Sequence, residues 1–331
     1  MADQNIIGTV IIGRNEGERL KRCINSAKNC SRAVVYVDSG STDGSVEWAV
    51  SQSVEVVELD LNVPFTAARA RNEGLSKLIE LLPDLHYVHF IDGDCYFEDG
   101  WVDTAVEFLD SHHEVALVCG IRKEIDPDAS IYNYLCDIEW DGPKGDIKES
   151  GGDFLIRAEI MKDVGGFSPE IIAGEEPDLC FRIRKKGWRI YRLPAVMTHH
   201  DADIHTFSQW WKRNLRSGHA YANIAYLHFG SEEKIYQKET LSNVVWGFGI
   251  PLVFIVSSVV WPPAFVAGVM LYAYLFYKCA NYARNDMKLL LRQSAIYSFF
   301  IVLGKFPHMF GVVQYVFRRI FRRKYTLIEY K

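Results

Sequence analysis

Short apolar segments alternate with amphipathic segments along the first part of the chain. Several apolar segments lack polar alternation, which is typical of strands buried on both faces of a sheet. The amphipathic segments between them predict helices. Predicted strands cover 6–13, 33–38, 54–59, 87–92 and 115–121, and predicted helices cover 16–29, 44–53, 65–82 and 101–111. This alternation predicts right-handed crossovers and a mostly parallel sheet flanked by helices, in an α/β domain.

A different pattern begins near residue 240. Residues 240–277 form a run of 38 without a charged side chain, and one straight helix of that length would measure about 57 Å, nearly twice the bilayer core. Pro262 and Pro263 interrupt the run, because proline ends a helix. The pattern therefore predicts a helical hairpin, with arms at about 241–261 and 264–277.

A further apolar stretch, 294–317, contains Lys305 and Pro307. We expect it to bend back at these residues or to lie in the membrane interface. The alternative for all these segments is a set of buried helices in a large soluble core, but such helices normally keep one polar face. We therefore predict two domains, 1–230 and a membrane-associated helical region at 231–331. A chain shortened after about Tyr236 should be soluble.

Charge divides the chain in the same way. The net charge is −5, yet 11 of the 37 basic residues and only 2 of the 42 acidic ones lie in 240–331. The acidic body predicts no nucleic-acid partner, because such binding needs a positive face. The basic cluster at Arg318, Arg319 and 322–324 is expected to contact anionic membrane lipid.

The cysteines and the basic residues after the predicted hairpin indicate the cellular compartment. The seven cysteines are odd in number and include no C-x-x-C pair, and the polar start does not resemble a secretion signal, so reduced thiols in the cytosol are expected. Four basic residues follow the hairpin, which favours the cytoplasmic side of the membrane. They are Lys278, Arg284, Lys288 and Arg292.

Acidic residues gather where the predicted strands end, and ligands of parallel sheets bind at that edge. Glu16 follows the first strand, Asp38 ends the second, and Asp92-Gly93-Asp94 ends the fourth. No G-x-G-x-x-G or G-x-x-x-x-G-K-[ST] motif is present, which argues against a dinucleotide-binding dehydrogenase and a P-loop enzyme. Asp38 has two interpretations: a contact to a ribose hydroxyl or base N–H, or a turn aspartate.

The Asp92-Gly93-Asp94 segment carries the clearest chemistry. Carboxylates at i and i+2 on an extended segment point to the same side, and the glycine between them allows close approach. Mg²⁺ and Mn²⁺ prefer hard oxygen ligands, often one or two carboxylates with substrate phosphates. The segment therefore predicts a Mn²⁺ or Mg²⁺ site.

Taken together, these motifs resemble the family-2 glycosyltransferases of GT-A fold, over about residues 6–226. The segments that carry the resemblance are 10–12, 14–16, 38–43, 70–74 and 92–94. The resemblance implies a Rossmann-like fold and an inverting transfer from a nucleotide-diphosphate sugar. It implies nucleoside contacts for Glu16 and Asp38, a base or phosphate contact for Arg71, a ribose contact for Asp92 and metal binding for Asp94.

Two later segments complete the resemblance. Residues 151–154 resemble the acceptor-side loop of the family, which includes Gly152 and Asp153, and residues 175–179 resemble the acidic motif that supplies its catalytic base. The family most often has Glu-Asp in that motif, whereas this chain has Glu175-Glu176. We predict Glu176 as the base, in an extended conformation before a helix at 177–187, because Pro177 disfavours helical geometry at the preceding residue. Glu175 is the second choice.

A second departure lies at the first strand end. Gly13-Arg14 stands where the family usually has a proline and an aromatic residue. Arg14 then either adds a charge near the phosphates or points to solvent.

Two more positions have open alternatives. His200 is a candidate third metal ligand or phosphate contact, although a histidine pair after a strand is often structural. Residues 209–216 form an aromatic and basic helix, in which Arg213 or Arg216 would neutralise the leaving group under a lid. The same helix would also suit the membrane interface.

The sequence thus predicts a membrane-associated, metal-dependent glycosyltransferase with its catalytic domain in the cytoplasm. Its partners would be a nucleotide-diphosphate sugar, a saccharide or lipid-linked acceptor, and membrane lipid, as in polysaccharide biosynthesis. A nucleotidyltransferase on a similar sheet and a non-catalytic membrane-anchored sugar-binding protein are the alternatives.

Overall fold

The computed structural model describes residues 5–321 and separates into two compact units between His205 and Thr206. The first unit holds the predicted strand–helix domain. The second holds the apolar helices. The division lies earlier than the predicted boundary at 230, so the aromatic and basic helix belongs to the second unit.

Nine strands of the described residues form one sheet in the first unit. They are β1 (Ile7–Gly13), β2 (Ala33–Asp38), β3 (Glu55–Glu58), β4 (Tyr87–Asp92), β5 (Cys95–Phe97), β6 (Val115–Glu124), β7 (Gly145–Asp146), β8 (Phe154–Arg157) and β9 (Arg189–His200). The helices between them are α1 (Glu18–Lys28), α2 (Ser45–Ser51), α3 (Ala67–Leu81), α4 (Trp101–Ser111), α5 (Ile131–Trp140), α6 (Ala158–Asp163) and α7 (Glu175–Lys185).

The sheet is mixed, with strand order β3-β2-β1-β4-β8-β6-β9-β5, and β7 pairs with β9. The first four strands in this order are parallel, as the alternating pattern predicts. The short β8 runs antiparallel between β4 and β6. Val10, Ile11 and Phe90 are fully buried, so the central strands are covered on both faces, as their continuous apolar runs predict.

The register of the strands brings their ends to one side, here called the carboxyl edge. Gly13 pairs with Asp38, and Ile12 pairs with Asp92. On the other half of the sheet, His200 at the end of β9 pairs with Cys95 at the start of β5. Because β8 is antiparallel to its neighbours, its first residues also lie at the carboxyl edge.

The second unit consists of helices among the described residues. They are α8 (Phe207–Leu227), α9 (Gln237–Val244), α10 (Ile250–Val260), α11 (Pro263–Asn285) and α12 (Leu291–Ile320), with a π-helical segment at Val245–Gly249 between α9 and α10. Three segments are long and apolar enough to cross a membrane: Gln237–Val260, Pro263–Asn285 and Leu291–Ile320. The second arm of the hairpin is therefore longer than the predicted 264–277.

The predicted bend in the last apolar stretch is wrong, because α12 continues through Pro307. Proline is tolerated in such helices where neighbouring helices and polar groups hold the freed backbone. Pro307 is buried, and Lys305 donates to Ser242 Oγ at 3.1 Å and to Asn243 Oδ1 at 3.2 Å. The predicted lipid contact of 322–324 lies outside the described residues.

Helices α8 and α12 pack with their backbones in close approach. A Cβ atom on Gly218 would lie 2.1 Å from the carbonyl oxygen of His308, and one on Gly311 would lie 2.1 Å from that of Leu215. The guanidinium of Arg319 lies 3.7 Å from the ring centre of Tyr226. Removing α12 would therefore expose one face of α8.

This packing changes the expectation for shortened chains. A chain ending at His205 should stay in the supernatant after ultracentrifugation without detergent, whereas one ending at Tyr236 should pellet, because it keeps α8 without α12. The measurement is the soluble fraction of each chain. Equal solubility would show that α8 does not depend on α12.

Candidate active site

A buried arginine from α3 organises the carboxyl edge. Arg71 donates through Nη1 to Glu175 Oε1 at 2.8 Å and to Glu176 Oε1 at 3.2 Å. Its Nη2 donates to Asp92 Oδ1 at 2.9 Å. Burial alone would lower the pKa of Arg71, but the three carboxylates outweigh it and hold that pKa above its usual range. Arg71 is therefore a permanent cation that gathers acids from β4 and α7.

The acidic motif lies in the first turn of α7, which corrects the predicted extended conformation of Glu176. The helix begins at Glu175, two residues before the predicted start, and Gly174 precedes it with a φ of 93°. Pro177 is the third residue of the helix, where the missing N–H needs no intrahelical acceptor. Carboxylates in this turn are stabilised by the helix dipole.

Three acids of α7 differ in their surroundings. The side chain of Glu175 is 4% exposed, and that of Glu176 is 18% exposed. Asp178 accepts from Ser168 Oγ at 2.7 Å and from Arg182 Nε at 2.9 Å. Asp178 therefore has a structural role, and Glu176 is the acid of this turn with access from solvent.

Opposing effects act on the pKa of Glu176. Burial raises the pKa of Glu176, and the neighbouring Glu175 raises it further, while Arg71 lowers it. The net shift is upward. A carboxylate with a raised pKa is a stronger base, which suits proton abstraction from a hydroxyl near neutral pH.

Asp94, Cys95 and His200 form a cluster with their ligating atoms within 4.8 Å of one another. His200 Nε2 lies 3.3 Å from Asp94 Oδ1, and Cys95 Sγ lies 3.6 Å from that oxygen. Burial raises the pKa of Cys95 well above its usual range, and sulfur is a soft ligand that suits a hard cation poorly. Asp94 offers the carboxylate oxygen that Mn²⁺ and Mg²⁺ prefer, and the His200 nitrogen 3.3 Å away is the candidate second ligand.

Asp38 has the geometry of a turn aspartate. Its Oδ2 accepts from the backbone N–H groups of Gly40 and Ser41, each at 2.8 Å, and its Oδ1 accepts from Tyr36 Oη at 2.7 Å. The structure therefore favours the second of the two interpretations for this residue, and a nucleoside contact by Asp38 stays a prediction.

The remaining residues of the first loop are also paired. Glu16 forms an ion pair with Arg19 at 2.9 Å. The guanidinium of Arg14 lies 5.3 Å from the ring centre of Phe65, so Arg14 makes a cation–π contact. Nucleoside contacts by Glu16 and a ribose contact by Asp92 stay predictions.

The two residues of the predicted acceptor-side loop have different environments. Gly152 lies against the site: a Cβ there would be 2.5 Å from Arg71 Nη2 and 3.0 Å from Asp92 Oδ2. Asp153 is fully buried, and its carboxylate is hydrogen-bonded to other groups of the protein. This environment differs from the predicted contact of Asp153 with an acceptor.

Replacing Gly152 by alanine should reduce kcat/KM by about 10- to 100-fold, since overpacking of about 1–3 kcal/mol would displace the Arg71 guanidinium. The control is Gly151→Ala, where the added Cβ would meet Arg122 Nη2 at 3.8 Å, an ordinary contact. Activity should change less than about twofold in that control. Equal kcat/KM in the two variants would contradict the close approach at Gly152.

Sequence reasoning missed Arg122, Trp140 and Thr198. Arg122 Nη2 forms an ion pair with Asp153 Oδ2 at 2.8 Å, and its guanidinium lies 5.5 Å from the ring centre of Trp140. Trp140 in turn stands edge-on to His200, with ring centres 4.5 Å apart. The signal for Arg122 was its place just after the predicted fifth strand, which continues through it to Glu124. Trp140 at the end of α5 had no such signal.

Comparison with known proteins adds a family match and similar structures. Residues 9–168 match the model of the glycosyl transferase family 2. The chain carries a family-2 glycosyltransferase domain. Two curated relatives, the pre-mycofactocin glycosyltransferases of two Mycobacterium tuberculosis strains, CDC 1551 / Oshkosh and ATCC 25618 / H37Rv, are 24% identical over 239 residues, covering 67% of this chain. The chain spans about half (48%) of the length of these relatives.

Solved structures of glycosyltransferases share the fold. The mannosyltransferase PcManGT from Pyrobaculum calidifontis, in complex with GDP-Man and Mn²⁺, matches with a TM-score of 0.58 at 16% identity, covering 96% of this chain and 89% of that one. TarS (residues 1–349) from S. aureus matches with a TM-score of 0.50 at 14% identity, covering 95% and 91%. The predicted GT-A fold is therefore confirmed for this chain, together with its C-terminal region of three apolar helices.

Proposed function

We propose that this glycosyltransferase transfers a sugar, with inversion, from a nucleotide-diphosphate sugar to a hydroxyl of a saccharide or lipid-linked acceptor. The observation that carries the proposal is the joining of Asp92, Glu175 and Glu176 by one buried arginine at the carboxyl edge. The family match supports the reaction class. The GDP-Man in the structure of PcManGT supports a nucleotide sugar as the donor.

Glu176 acts as the general base in this proposal. Its carboxylate accepts the proton of the acceptor hydroxyl, while the acceptor oxygen attacks the anomeric carbon from the face opposite the diphosphate. The bond from that carbon to the diphosphate breaks, so the configuration inverts. Arg71 holds Glu176 in place by the 3.2 Å contact, and Gly152 leaves room beside both side chains.

Asp94 and His200 would hold the cation, Mn²⁺ or Mg²⁺. When bound, such an ion supplies Lewis-acid stabilisation of the leaving diphosphate. Trp140 packs against the His200 ring, which limits its rotation. Glu16, Asp38 and Asp92 would face the nucleoside. Arg213 lies on α8 in the second unit, and a role for it beside the leaving group stays a prediction.

The second unit supports a location at the membrane. Its three apolar segments are long enough to span a bilayer. Lys278 and Arg284 lie in the second half of α11, and Lys288 follows that helix. The positive-inside rule then favours a cytoplasmic face for the catalytic unit. A lipid-linked or growing saccharide would be an accessible acceptor at that face.

The test is a screen of UDP-, GDP- and TDP-sugars for hydrolysis and for thermal shift, with and without Mn²⁺. The proposal expects one nucleotide class to be cleaved to nucleoside diphosphate and sugar only when Mn²⁺ or Mg²⁺ is present. Cleavage of the donor only when pyrophosphate is added, with release of nucleoside triphosphate and sugar 1-phosphate, would indicate a nucleotidyltransferase instead. Binding of a sugar with no turnover of any donor would indicate a non-catalytic module.

A further inference from the structure

A single buried carboxylate connects two strands that are not neighbours. Asp153 Oδ1 accepts from the backbone N–H of Asp92 at 3.2 Å. Its Oδ2 accepts from Thr198 Oγ1 at 2.8 Å and forms an ion pair with Arg122 Nη2 at 2.8 Å. Asp153 and Thr198 are both fully buried, so these contacts are shielded from water.

The two contact points flank the candidate metal ligands. Asp92 lies two residues before Asp94, and Thr198 lies two residues before His200. In the sheet, β8 and β6 separate β4 from β9. On the other side of the ligands, Cys95 next to Asp94 pairs with His200 in the β5–β9 ladder, and the Asp201 N–H donates to the Asp94 carbonyl at 3.1 Å. Asp153 precedes β8, and its side chain spans the gap at the carboxyl edge.

Arg122 makes the buried charge of Asp153 tolerable. An unpaired carboxylate in the interior would be costly, and the paired guanidinium offsets that cost. The same Nη2 atom lies 3.9 Å from Asp92 Oδ2, and the guanidinium also packs on Trp140 beside His200. Arg122 and Asp153 therefore form one unit that touches both sides of the metal site.

We propose that Asp153 is a positioning residue that supports Asp94 and His200 from behind, through the Asp92 N–H and the Thr198 hydroxyl, in addition to the backbone contacts between β5 and β9. This inference rests on the proposed metal role of those two ligands. Groups that orient metal ligands from behind typically affect metal affinity by about 10- to 100-fold. Of these contacts, the hydrogen bond from the Thr198 hydroxyl can be removed with the least change in shape, because valine has nearly the same shape as threonine.

The experiment measures Mn²⁺ alone binding to the full-length chain in detergent, by the electron paramagnetic resonance signal of free Mn²⁺. Thr198→Val should weaken Mn²⁺ binding about tenfold, and Thr198→Ser should bind as the wild type does. The matched control is Thr9→Val, because Thr9 is also fully buried, with its hydroxyl 2.6 Å from Ser31 Oγ in the same sheet. That control should lower Tm without changing the Mn²⁺ dissociation constant.

The outcomes separate this inference from the proposed function. If the wild type binds Mn²⁺ and Thr198→Val binds it equally well, the positioning role is wrong and the metal site stands. An equal loss in Thr9→Val would also overturn the role, since the effect would then be general destabilisation. If the wild type binds no Mn²⁺, both the metal role and this inference fail.

Discussion

Glu176→Gln should lower kcat by about 10²–10⁴-fold while the donor dissociation constant barely changes, because a missing general base affects only proton transfer from the acceptor. Glutamine keeps the shape of the side chain and its oxygen still accepts from Arg71. The loss is therefore attributable to basicity rather than to packing. Steady-state kcat and equilibrium donor binding, measured on the same preparation, check the prediction.

The other two acids of α7 are the comparison variants. Glu175→Gln removes a buried partner of Arg71 and should reduce activity together with stability. Asp178→Asn should mainly lower Tm, because Asp178 binds Ser168 and Arg182. An unchanged kcat in Glu176→Gln, with a collapse of kcat in Glu175→Gln at wild-type Tm, would move the base to Glu175.

The pH profile of kcat gives an independent check on the same residue. The base works only as a carboxylate, and burial raises the pKa of Glu176. Activity should therefore fall as the pH is lowered through that raised pKa, at a higher pH than for an ordinary glutamate. The acid limb of the profile should be absent in Glu176→Gln. An identical limb in that variant would assign it to another group.

The parallel half of the sheet was predictable because its pattern is local. β2 and β4 have the predicted bounds, and α4 spans the predicted 101–111. Continuous apolar runs report burial on both faces directly, so these strands could be read from the sequence. The antiparallel β8 was missed, since its four residues are too short to show a period.

Site residues at the end of a predicted strand could be predicted from the sequence. Contacts that depend on which strands pair with each other were harder to predict. Asp94 follows β4 and His200 is the last residue of β9, yet only the β5–β9 register shows that they meet. The position of Glu176 within a helix was missed because proline at the third helical residue is tolerated, although it disfavours helix at the residue before it. The ion pair of Arg122 with Asp153 joins distant segments and leaves no local pattern.

At a Mn²⁺ concentration that saturates the wild type, Asp94→Asn should reduce kcat by about 10³-fold or more, with a Tm close to that of the wild type. A bound cation stabilises the charge of the leaving diphosphate by several kcal/mol, and each 1.36 kcal/mol corresponds to about tenfold in rate. The asparagine amide would retain a neutral oxygen of similar shape but not the negative charge that attracts the ion. The effect should therefore appear in Mn²⁺ affinity and in turnover together.

Cys95→Ala is the matched control for this prediction, because Cys95 lies in the same cluster but offers a soft sulfur, which suits Mn²⁺ poorly. It should keep the Mn²⁺ dependence of the wild type and lose only some stability. Full activity of the wild type in excess chelator, or near wild-type kcat in Asp94→Asn, would contradict the metal role of Asp94. Loss of Mn²⁺ binding in Cys95→Ala with retention in Asp94→Asn would instead make the sulfur a ligand and favour a softer metal.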